Sequence, residues 1–416
     1  MVPQQELPGP VEILALACED GRCDFKPRKM HRRALLDHDV QFDIKYCGVC
    51  HSDLSTAAGH TAGIQEVKWP VVPGHELAGV VTAVGPKVTK FKVGQHVGVG
   101  CMVDSCRRCS ACKNGQEQNC NRQVGTYVGR DNGSGRAQTY PPNQMTLGGY
   151  STIMVADEEV CIDIPPEYPL ECAGPLMCAA ITMYAPLKRF GLARLRQGAA
   201  VGIVGLGGLT QMGVKIAKAL GARVTVISRS AAKKELAMSL GADDFVASSD
   251  KSDMAAHARK LDLIINTVPA YHNYVAYHPL LAKRGYQILL GLHKGLAAAL
   301  VVNKLTLGRS RIKHSLIGGF ADTQEIVYLC AKNRIFPEIK VVPVTEINAI
   351  FSKLDSNNDE GIRYVLDIAN TLNEKAIGAF AVKGAPPPTI KPAHGTLEIP
   401  AVAREVCWLL ATGNFL

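Results

Sequence analysis

No apolar run in the chain approaches the roughly 18 residues that a membrane-spanning helix needs. The first residues also lack the charged, apolar and small-residue order of a secretory signal. Lysine and arginine exceed the acidic residues to give a net charge of +9, but they are dispersed and form no basic arm or stripe. These absences predict a cytoplasmic protein that binds neither membrane nor nucleic acid.

Aromatic residues are also scarce, at 6% of the 416 residues, yet 47% of the chain is hydrophobic. That hydrophobic content is ample for a core, excludes disorder as the default and predicts two domains. Residues 1 to about 180 are rich in glycine, proline and short valine runs such as AGVVTAVG. They predict an irregular β-rich domain.

A different pattern begins near Gly198, where short β-branched runs alternate with amphipathic stretches as far as Gly291. Within 209–220 the apolar residues step by three and four, as one face of a helix does, and further helices are predicted at 251–260 and 274–283. The chain is therefore expected to be an α/β protein, with a doubly wound parallel sheet plus the β-rich domain. The residues after Gly384 read as an extended linker that precedes a short apolar helix at 400–411.

Fourteen cysteines in a chain without an export signal indicate a reducing compartment, where clustered thiols usually bind metal. Four of them lie in CRRCSACKNGQEQNC with the spacing C-x2-C-x2-C-x7-C. Four thiolates can surround one Zn2+ and leave no open position, so this zinc would be structural. An iron–sulfur cluster and a pair of disulfides are the alternatives. The predicted ligands are Cys106, Cys109, Cys112 and Cys120.

A second set of candidate ligands comes from three remote segments, YCGVCHSDL, PGHE and LMC, which contain Cys50, His75 and Cys178. Two thiolates and an imidazole leave tetrahedral zinc one free corner for water or substrate. Each residue alone is more typical of a core, and Cys47-x2-Cys50 also fits a thioredoxin-type pair.

The stretch GLGGLT at 205–210 lies where the first predicted strand of the parallel sheet ends and a helix begins. Gly205 permits a tight turn there, Gly207 lets the backbone approach a pyrophosphate, and Gly208 adds clearance. Thr210 stands at the third glycine position of the pattern. The stretch predicts a Rossmann-type dinucleotide site.

The end of the second strand of this sheet lacks the carboxylate that would hold an unphosphorylated ribose. Hydroxyl, guanidinium and ammonium groups stand there instead, and they suit a 2′-phosphate, which favours NADP. A solvated helix start is the alternative interpretation. The residues concerned are Ser228, Arg229, Ser230, Lys233 and Lys234.

Seven stretches occur in a fixed order along the chain: GVCHSDL, PVVPGHELAGVV, VGVGCMVDSCRRCSACKNGQEQNC, LGGYS, PLMCAAIT, GIVGLGGL and SLIGG. With them the chain resembles medium-chain, zinc-dependent alcohol dehydrogenases, most of all the cinnamyl alcohol dehydrogenase branch. The resemblance implies two Zn2+ per chain, NADP(H), a homodimer and small-molecule alcohol or aldehyde substrates. It also implies a GroES-like catalytic domain at 1–183 with 322–416 returning to it, and a Rossmann domain at 184–321. Residues 384–416 are an extension without an assigned role.

The same resemblance assigns roles to individual residues. Cys50, His75 and Cys178 would be the catalytic zinc ligands, with Glu76 as an exchangeable fourth ligand. Asp53 would orient His75. The remaining assignments are Ser52 for the start of the proton route, His51 for the cofactor pyrophosphate, and Thr182, Leu206, Leu209 and Ser315 for further cofactor contacts.

Three sequence features bear on the details of catalysis. Ser55 stands where the family commonly continues the proton route through a histidine, and His60 is a second candidate for that role. Trp69 is a candidate for the substrate channel. The expected activity is hydride transfer between NADP(H) and aromatic or medium-chain alcohol/aldehyde pairs. The alternatives are a polyol or secondary alcohol dehydrogenase, and an inactive scaffold that acts as a zinc-stabilised binding protein.

Overall fold

The structure of the protein is a computed structural model that describes residues 9–60, 67–129, 145–192, 198–268, 272–290, 311–356 and 361–375, with 378 and 380. The predicted linker, the apolar helix at 400–411 and the rest of the extension at 384–416 lie outside the described residues. Two compact units are present. One runs as far as Cys178 and resumes at Gly319, and the other runs from Ala179 to Gly318.

The secondary structure is numbered in chain order. The strands are β1 Val11–Cys18, β2 Phe25–Arg32, β3 Asp39–Gly48, β4 Leu77–Val84, β5 His96–Val99, β6 Met102–Asp104, β7 Val124–Gly125, β8 Ile153–Asp157, β9 Ile162–Asp163, β10 Ala200–Val204, β11 Arg223–Ser228, β12 Asp244–Ala247, β13 Leu261–Asn266, β14 Leu281–Leu290, β15 Ile312–Ser315, β16 Ile339–Pro343 and β17 Arg363–Asp367. The α-helices are α1 His51–Ala57, α2 Ser110–Lys113, α3 Leu170–Ala173, α4 Ala179–Pro186, α5 Gly208–Ala219, α6 Lys234–Ser239, α7 Lys251–Ala256, α8 Phe320–Lys332, α9 Ile347–Asp355 and α10 Ile368–Thr371.

The first unit is built on a mixed sheet in the order β16-β17-β3-β4-β5-β9, with β8 paired to β3. Only the pair β16–β17 is parallel among the described strands of this sheet. Two small antiparallel pairs, β1–β2 and β6–β7, complete the strands of the unit. Side chains such as Phe42, Ile44 and Leu77 fill its core. The predicted irregular β-rich domain is confirmed.

The second unit holds a parallel sheet in the order β12-β11-β10-β13-β14-β15. Counted from β10, this is the order 3-2-1-4-5-6 of a doubly wound Rossmann sheet. The first helix of the unit after β10 is α5, which begins one residue before the predicted span 209–220. Met212 and Ile216 of the predicted apolar face are buried, whereas Leu209 and Leu220 are half-buried. The predicted fold class is confirmed.

The helix predicted at 274–283 is wrong in part. Residues Tyr274–Leu280 form a 3-10 turn, and Leu281 begins β14. Pro279 lies within this turn and has no N–H to donate, which limits helical hydrogen bonding there.

No single helix in the described part of the chain is long and apolar enough to cross a membrane. Two consecutive helical segments, Leu170–Met177 and Ala179–Phe190, are together long and apolar enough to span a membrane, but they are bent by 48° at the break between them. Buried core helices have the same length and composition.

Candidate active site and metal centres

Four side chains from remote parts of the first unit meet in a buried cluster: Cys50, His75, Glu76 and Cys178. Their ligand atoms all lie within 4.8 Å of one another. Cys50 immediately precedes α1, His75 and Glu76 immediately precede β4, and Cys178 follows the 3-10 turn Gly174–Met177. The four side chains therefore lie at three separate ends of helices or strands, and the fold places these ends close together.

Gly74 allows the turn that carries His75 into this cluster. Its φ is +100°, a conformation that favours glycine, and a Cβ there would lie 2.7 Å from the Tyr150 ring. The Nε2 atom of His75 lies 3.3 Å from Cys178 Sγ. Bonds of about 2.0 Å to nitrogen and 2.3 Å to sulfur that meet at a tetrahedral angle would place these atoms about 3.5 Å apart. The spacing therefore fits a single zinc ion.

Asp53 lies behind this cluster and is fully buried. Its Oδ1 accepts a hydrogen bond from the Gly74 N–H at 3.0 Å and lies 3.0 Å from His75 Nδ1. Because a carboxylate only accepts, the imidazole proton belongs on Nδ1, which leaves the Nε2 lone pair for the metal. Its Oδ2 accepts from the Cys50 N–H at 2.9 Å and from the Tyr150 hydroxyl at 3.0 Å.

Glu76 is fully buried, and neither of its carboxylate oxygens has a hydrogen-bond partner. Arg363 of β17 approaches Oε1 to 2.9 Å as an ion pair that lacks the angle of a hydrogen bond. Burial raises the pKa of Glu76 to about 7, and the guanidinium opposes part of that effect. Buried carboxylate oxygens without donors, next to two thiols and an imidazole, are suited to a metal ion.

The other predicted residues near the cluster lie on α1. The Ser52 hydroxyl is 3.6 Å from Cys50 Sγ, and both His51 and Ser52 are exposed. Ser55 lies one turn further along the helix and accepts the backbone N–H of His60 at its carbonyl. Cys47 is buried in β3 with its thiol near its neighbour's carbonyl, so a thioredoxin-type pair with Cys50 is not indicated.

Trp69, the candidate for the substrate channel, is 39% exposed. Its indole N–H donates to the Ala57 carbonyl at the end of α1 at 3.1 Å.

Four further residues surround this centre that were not predicted from the sequence: Arg363, Tyr150, Tyr127 and Cys101. The Tyr127 ring lies 5.7 Å from the His75 ring, and the Cys101 thiol contacts Cys178. Tyr150 belongs to LGGYS, one of the stretches that carry the family resemblance, but the resemblance assigned no role to it. Arg363 carries no local signal, because only the pairing of β17 with β3 brings it to the site.

The second cluster joins Cys106, Cys109, Cys112 and Cys120, again within 4.8 Å of one another. Cys112 Sγ lies 3.5 Å from Cys109 Sγ and 3.9 Å from Cys106 Sγ. A zinc ion with Zn–S bonds of about 2.3 Å would set sulfurs about 3.8 Å apart at the corners of a tetrahedron. These distances fit one ion and exceed the roughly 2.05 Å of a disulfide.

Backbone groups support this cluster. Burial would raise the pKa of the Cys106 thiol, but the N–H groups of Arg108 and Cys109 bring it down to about 6. The Cys109 N–H donates to Cys106 Sγ at 3.3 Å, and the Arg122 N–H donates to Cys120 Sγ at 3.4 Å. Such donors stabilise thiolates, the form that binds metal.

The glycine-rich loop of the second unit joins β10 to α5. Gly205 has φ +105°, and a Cβ on it would lie 2.6 Å from Thr267 Oγ1, whereas Gly207 has open space around its Cβ position. Thr210 is fully buried, and its hydroxyl lies 3.1 Å from that of Thr267. Thr267 in turn donates to the Val204 carbonyl at 2.8 Å. The hydroxyl at the third glycine position thus contacts Thr267 of the segment after β13.

The residues after β11 lie at the surface. Arg229, Ser230 and Lys234 are exposed, and the Ser230 hydroxyl accepts the Ala232 N–H at 3.2 Å as a cap. Ser228 is half-buried at the end of β11. The further predicted cofactor residues of this unit are Thr182 in α4, Leu206 in the loop, Leu209 in α5 and Ser315 at the end of β15.

Two family models match the chain. The alcohol dehydrogenase GroES-like domain matches residues 36–166, and the zinc-binding dehydrogenase domain matches residues 208–332.

Curated relatives match over nearly their whole length. Vomilenine reductase of Rauvolfia serpentina is 44% identical over 88% of this chain and 98% of its own. Cinnamyl alcohol dehydrogenase 2 of the same plant is 43% identical over 89% and 99%, and mannitol dehydrogenase of Petroselinum crispum is 43% identical over 84% and 99%.

Solved structures give the same grouping. The cinnamyl alcohol dehydrogenase SbCAD4 of Sorghum bicolor superposes with a TM-score of 0.77 at 35% identity, covering 88% of this chain and 100% of that one. The cinnamyl alcohol dehydrogenase of Helicobacter pylori, in complex with NADP(H), gives 0.75 at 35% identity over 87% and 99%. The chain therefore belongs to the zinc-binding, medium-chain alcohol dehydrogenase family, is of the cinnamyl alcohol dehydrogenase type, and is an oxidoreductase that acts on CH–OH groups.

Proposed function

We propose that the protein is an NADP(H)-dependent reductase of aromatic or medium-chain aldehydes, and that it oxidises the corresponding alcohols. The observation that supports this proposal most directly is the buried cluster of two thiols and one imidazole, with Glu76 beside them and Asp53 hydrogen-bonded to the imidazole. When bound, Zn2+ supplies a Lewis acid for the substrate oxygen, and NADP(H) supplies or accepts the hydride.

The residues of the first unit have distinct roles in this proposal. Cys50, His75 and Cys178 hold the metal, and Asp53 keeps the imidazole in the tautomer that leaves Nε2 free. The Ser52 hydroxyl, beside a ligand thiol and open to solvent, would take the proton that leaves the alcohol and pass its own proton to solvent.

Glu76 is the exchangeable ligand of the proposal. It occupies the same cluster as the other three ligands, and Arg363 balances its charge while it is away from the metal. The pairing explains how a carboxylate can remain buried without hydrogen-bond donors.

The cofactor assignment rests on the second unit. Gly205, Gly207 and Gly208 shape the loop at the start of α5 for a pyrophosphate. The chain has no acid from Ser228 to Lys234, and the exposed Arg229 offers a bidentate donor to a 2′-phosphate. Thr182, Leu206, Leu209 and Ser315 complete the proposed cofactor contacts, with Ser230, Lys233 and Lys234 beside the phosphate.

The proposal keeps the domain assignment of a catalytic domain at 1–183 with 322–416 and a Rossmann domain at 184–321. It also includes a homodimer and a cytoplasmic location, as the family resemblance implies. Sedimentation of the full chain tests the dimer, because a homodimer of 44.6 kDa chains has twice that mass.

The experiment combines zinc analysis with oxidation of NADPH and of NADH over a panel of aldehydes that includes cinnamaldehyde. Two zinc ions per chain, with turnover and a preference for NADPH, are expected. A preference for NADH would contradict the role of Arg229. One zinc per chain and no turnover of any aldehyde would indicate an inactive scaffold that acts as a zinc-stabilised binding protein.

A polyol dehydrogenase is the second candidate, because mannitol dehydrogenases are among the relatives at similar identity. The test compares the oxidation of mannitol by NADP with the reduction of cinnamaldehyde by NADPH in one preparation. A larger kcat/KM for mannitol would favour the polyol assignment.

A further inference from the structure

We propose that Tyr150 is a positioning residue of the catalytic metal centre, because its hydroxyl fixes the Asp53 carboxylate that orients His75. The proposal rests on the proposed function, since it concerns the same metal centre. The role belongs to a residue that contacts neither substrate nor metal.

The donors around Asp53 fill its acceptor capacity. A carboxylate offers about four lone-pair sites. The Gly74 N–H and His75 Nδ1 approach Oδ1, and the Cys50 N–H and the Tyr150 hydroxyl approach Oδ2. The Tyr127 hydroxyl also interacts with this carboxylate. Asp53 and Tyr150 are both fully buried, so water cannot easily replace a lost donor.

Tyr150 differs from the Cys50, Gly74 and His75 donors in where it is anchored. Cys50 and His75 are themselves proposed ligands, and Gly74 precedes His75 in the chain, so these donors move with the metal centre. Tyr150 is instead held by the core, with its ring 6.2 Å from Phe25 and 6.5 Å from Phe351. Its hydroxyl therefore ties Asp53 Oδ2 to a rigid part of the unit.

Loss of the hydroxyl would remove one of the two hydrogen bonds to Oδ2 and loosen the carboxylate at that oxygen. The His75 ring would then lose part of the restraint that sets its direction. Partners of this kind typically affect metal affinity or activity about 10- to 100-fold.

The experiment compares Tyr150→Phe with Tyr168→Phe in the full-length holoenzyme. Tyr168 is a matched control in the same unit: it is 2% exposed, and its hydroxyl donates to the Ile335 carbonyl at 2.8 Å, away from the Asp53 network. Both changes remove one buried hydroxyl and one neutral-donor hydrogen bond. If the two variants differ in metal retention, the cause is therefore the contact of the Tyr150 hydroxyl with Asp53, and not the loss of a buried hydroxyl as such.

Three readouts are followed: the chelator concentration that removes the catalytic metal, the visible absorption of the Co2+-substituted centre, and kcat and KM for one aldehyde. For Tyr150→Phe we expect metal loss at about tenfold or more lower chelator concentration, a shifted Co2+ spectrum and a lower kcat with little change in KM. Tyr168→Phe should stay within about twofold of the wild type in metal retention and keep its Co2+ spectrum. Equal behaviour of the two variants would overturn the proposal.

A second comparison separates the loss of this contact from general misfolding of Tyr150→Phe. In an Asp53→Asn background the hydroxyl has lost the carboxylate that it holds, so adding Tyr150→Phe should change metal retention by less than about twofold. Additive losses would contradict the proposed route through Asp53. Failure of the proposed function is recognised separately, in the wild type, by the absence of a second zinc ion or of aldehyde turnover.

Discussion

Substitution of Gly48 by alanine tests how tightly the buried Glu76 is held. Gly48 ends β3, and a Cβ there would lie 2.0 Å from Glu76 Oε2 and 3.0 Å from Glu76 Cβ. The Gly48 N–H also donates to the Glu76 carbonyl at 3.0 Å, which ties the two backbone segments together. The new methyl group therefore has to displace the carboxylate or break this link.

The expected cost follows from those two outcomes. Overpacking of a well-filled interior costs about 1–3 kcal/mol. If the carboxylate moves away from Arg363, the buried guanidinium loses its partner, and breaking such a pair costs about 3–5 kcal/mol. We therefore expect Gly48→Ala to destabilise the first unit by about 2–5 kcal/mol and to lower the zinc content of the catalytic centre.

Differential scanning calorimetry of the holoenzyme and zinc analysis are the assays. Gly9→Ala is the matched control, because no atom lies within 4 Å of a Cβ at that position and its φ is ordinary. The control should stay within about 0.5 kcal/mol of the wild type. A Gly48→Ala protein that is as stable and as rich in zinc as Gly9→Ala would contradict this expectation.

Three further predictions concern other parts of the chain. Replacing Arg229 by aspartate should raise KM for NADPH at least about tenfold and leave KM for NADH nearly unchanged, because a phosphate donor becomes a repelling acid; steady-state kinetics with both cofactors decides this. Replacing Cys109 by serine should lower the zinc content by about one ion per chain and leave no iron signal in either protein, and iron in the wild type would indicate a cluster instead. Burial would raise the pKa of Glu158, but the N–H groups of Thr89 and Lys90 outweigh it and hold that pKa below its usual value, so this carboxylate stabilises the fold above about pH 4.5 and the effect is lost as pH falls through the lowered value. Glu158→Gln should therefore be less stable than the wild type at pH 7, with the gap in melting temperature closing as the pH falls through the lowered pKa, and a gap independent of pH would contradict the assignment.

Local sequence was sufficient where a feature is contained in one short segment. The four cysteines from Cys106 to Cys120 lie within fifteen residues, so their spacing alone limits how they can meet, and the structure brings them together. The glycine loop at Gly205 was recognisable because it interrupts a buried strand and opens an amphipathic helix. The alternation of such strands and helices also predicted a parallel sheet covered by helices, since parallel strands require crossovers, but the order of its strands was visible only in the structure.

Tertiary structure decided whatever depends on segments that are remote in sequence. The meeting of Cys50, His75 and Cys178 was implied only by family resemblance, because nothing in three separate stretches encodes their distance. Arg363 reaches Glu76 through the pairing of β17 with β3, a contact between strands far apart in the chain.

Two smaller features show the same limit. The hydroxyl of Thr210 is engaged by Thr267 from a later strand end, which the loop sequence does not reveal. The segment 274–283 has a helical pattern, but the 3-10 turn contains Pro279 and ends at Leu280. From Leu281 the chain pairs with β13 as the parallel strand β14. Spacing and periodicity specify local geometry, whereas the choice of which distant groups satisfy a buried charge or a metal ion is made by the packing of the whole unit.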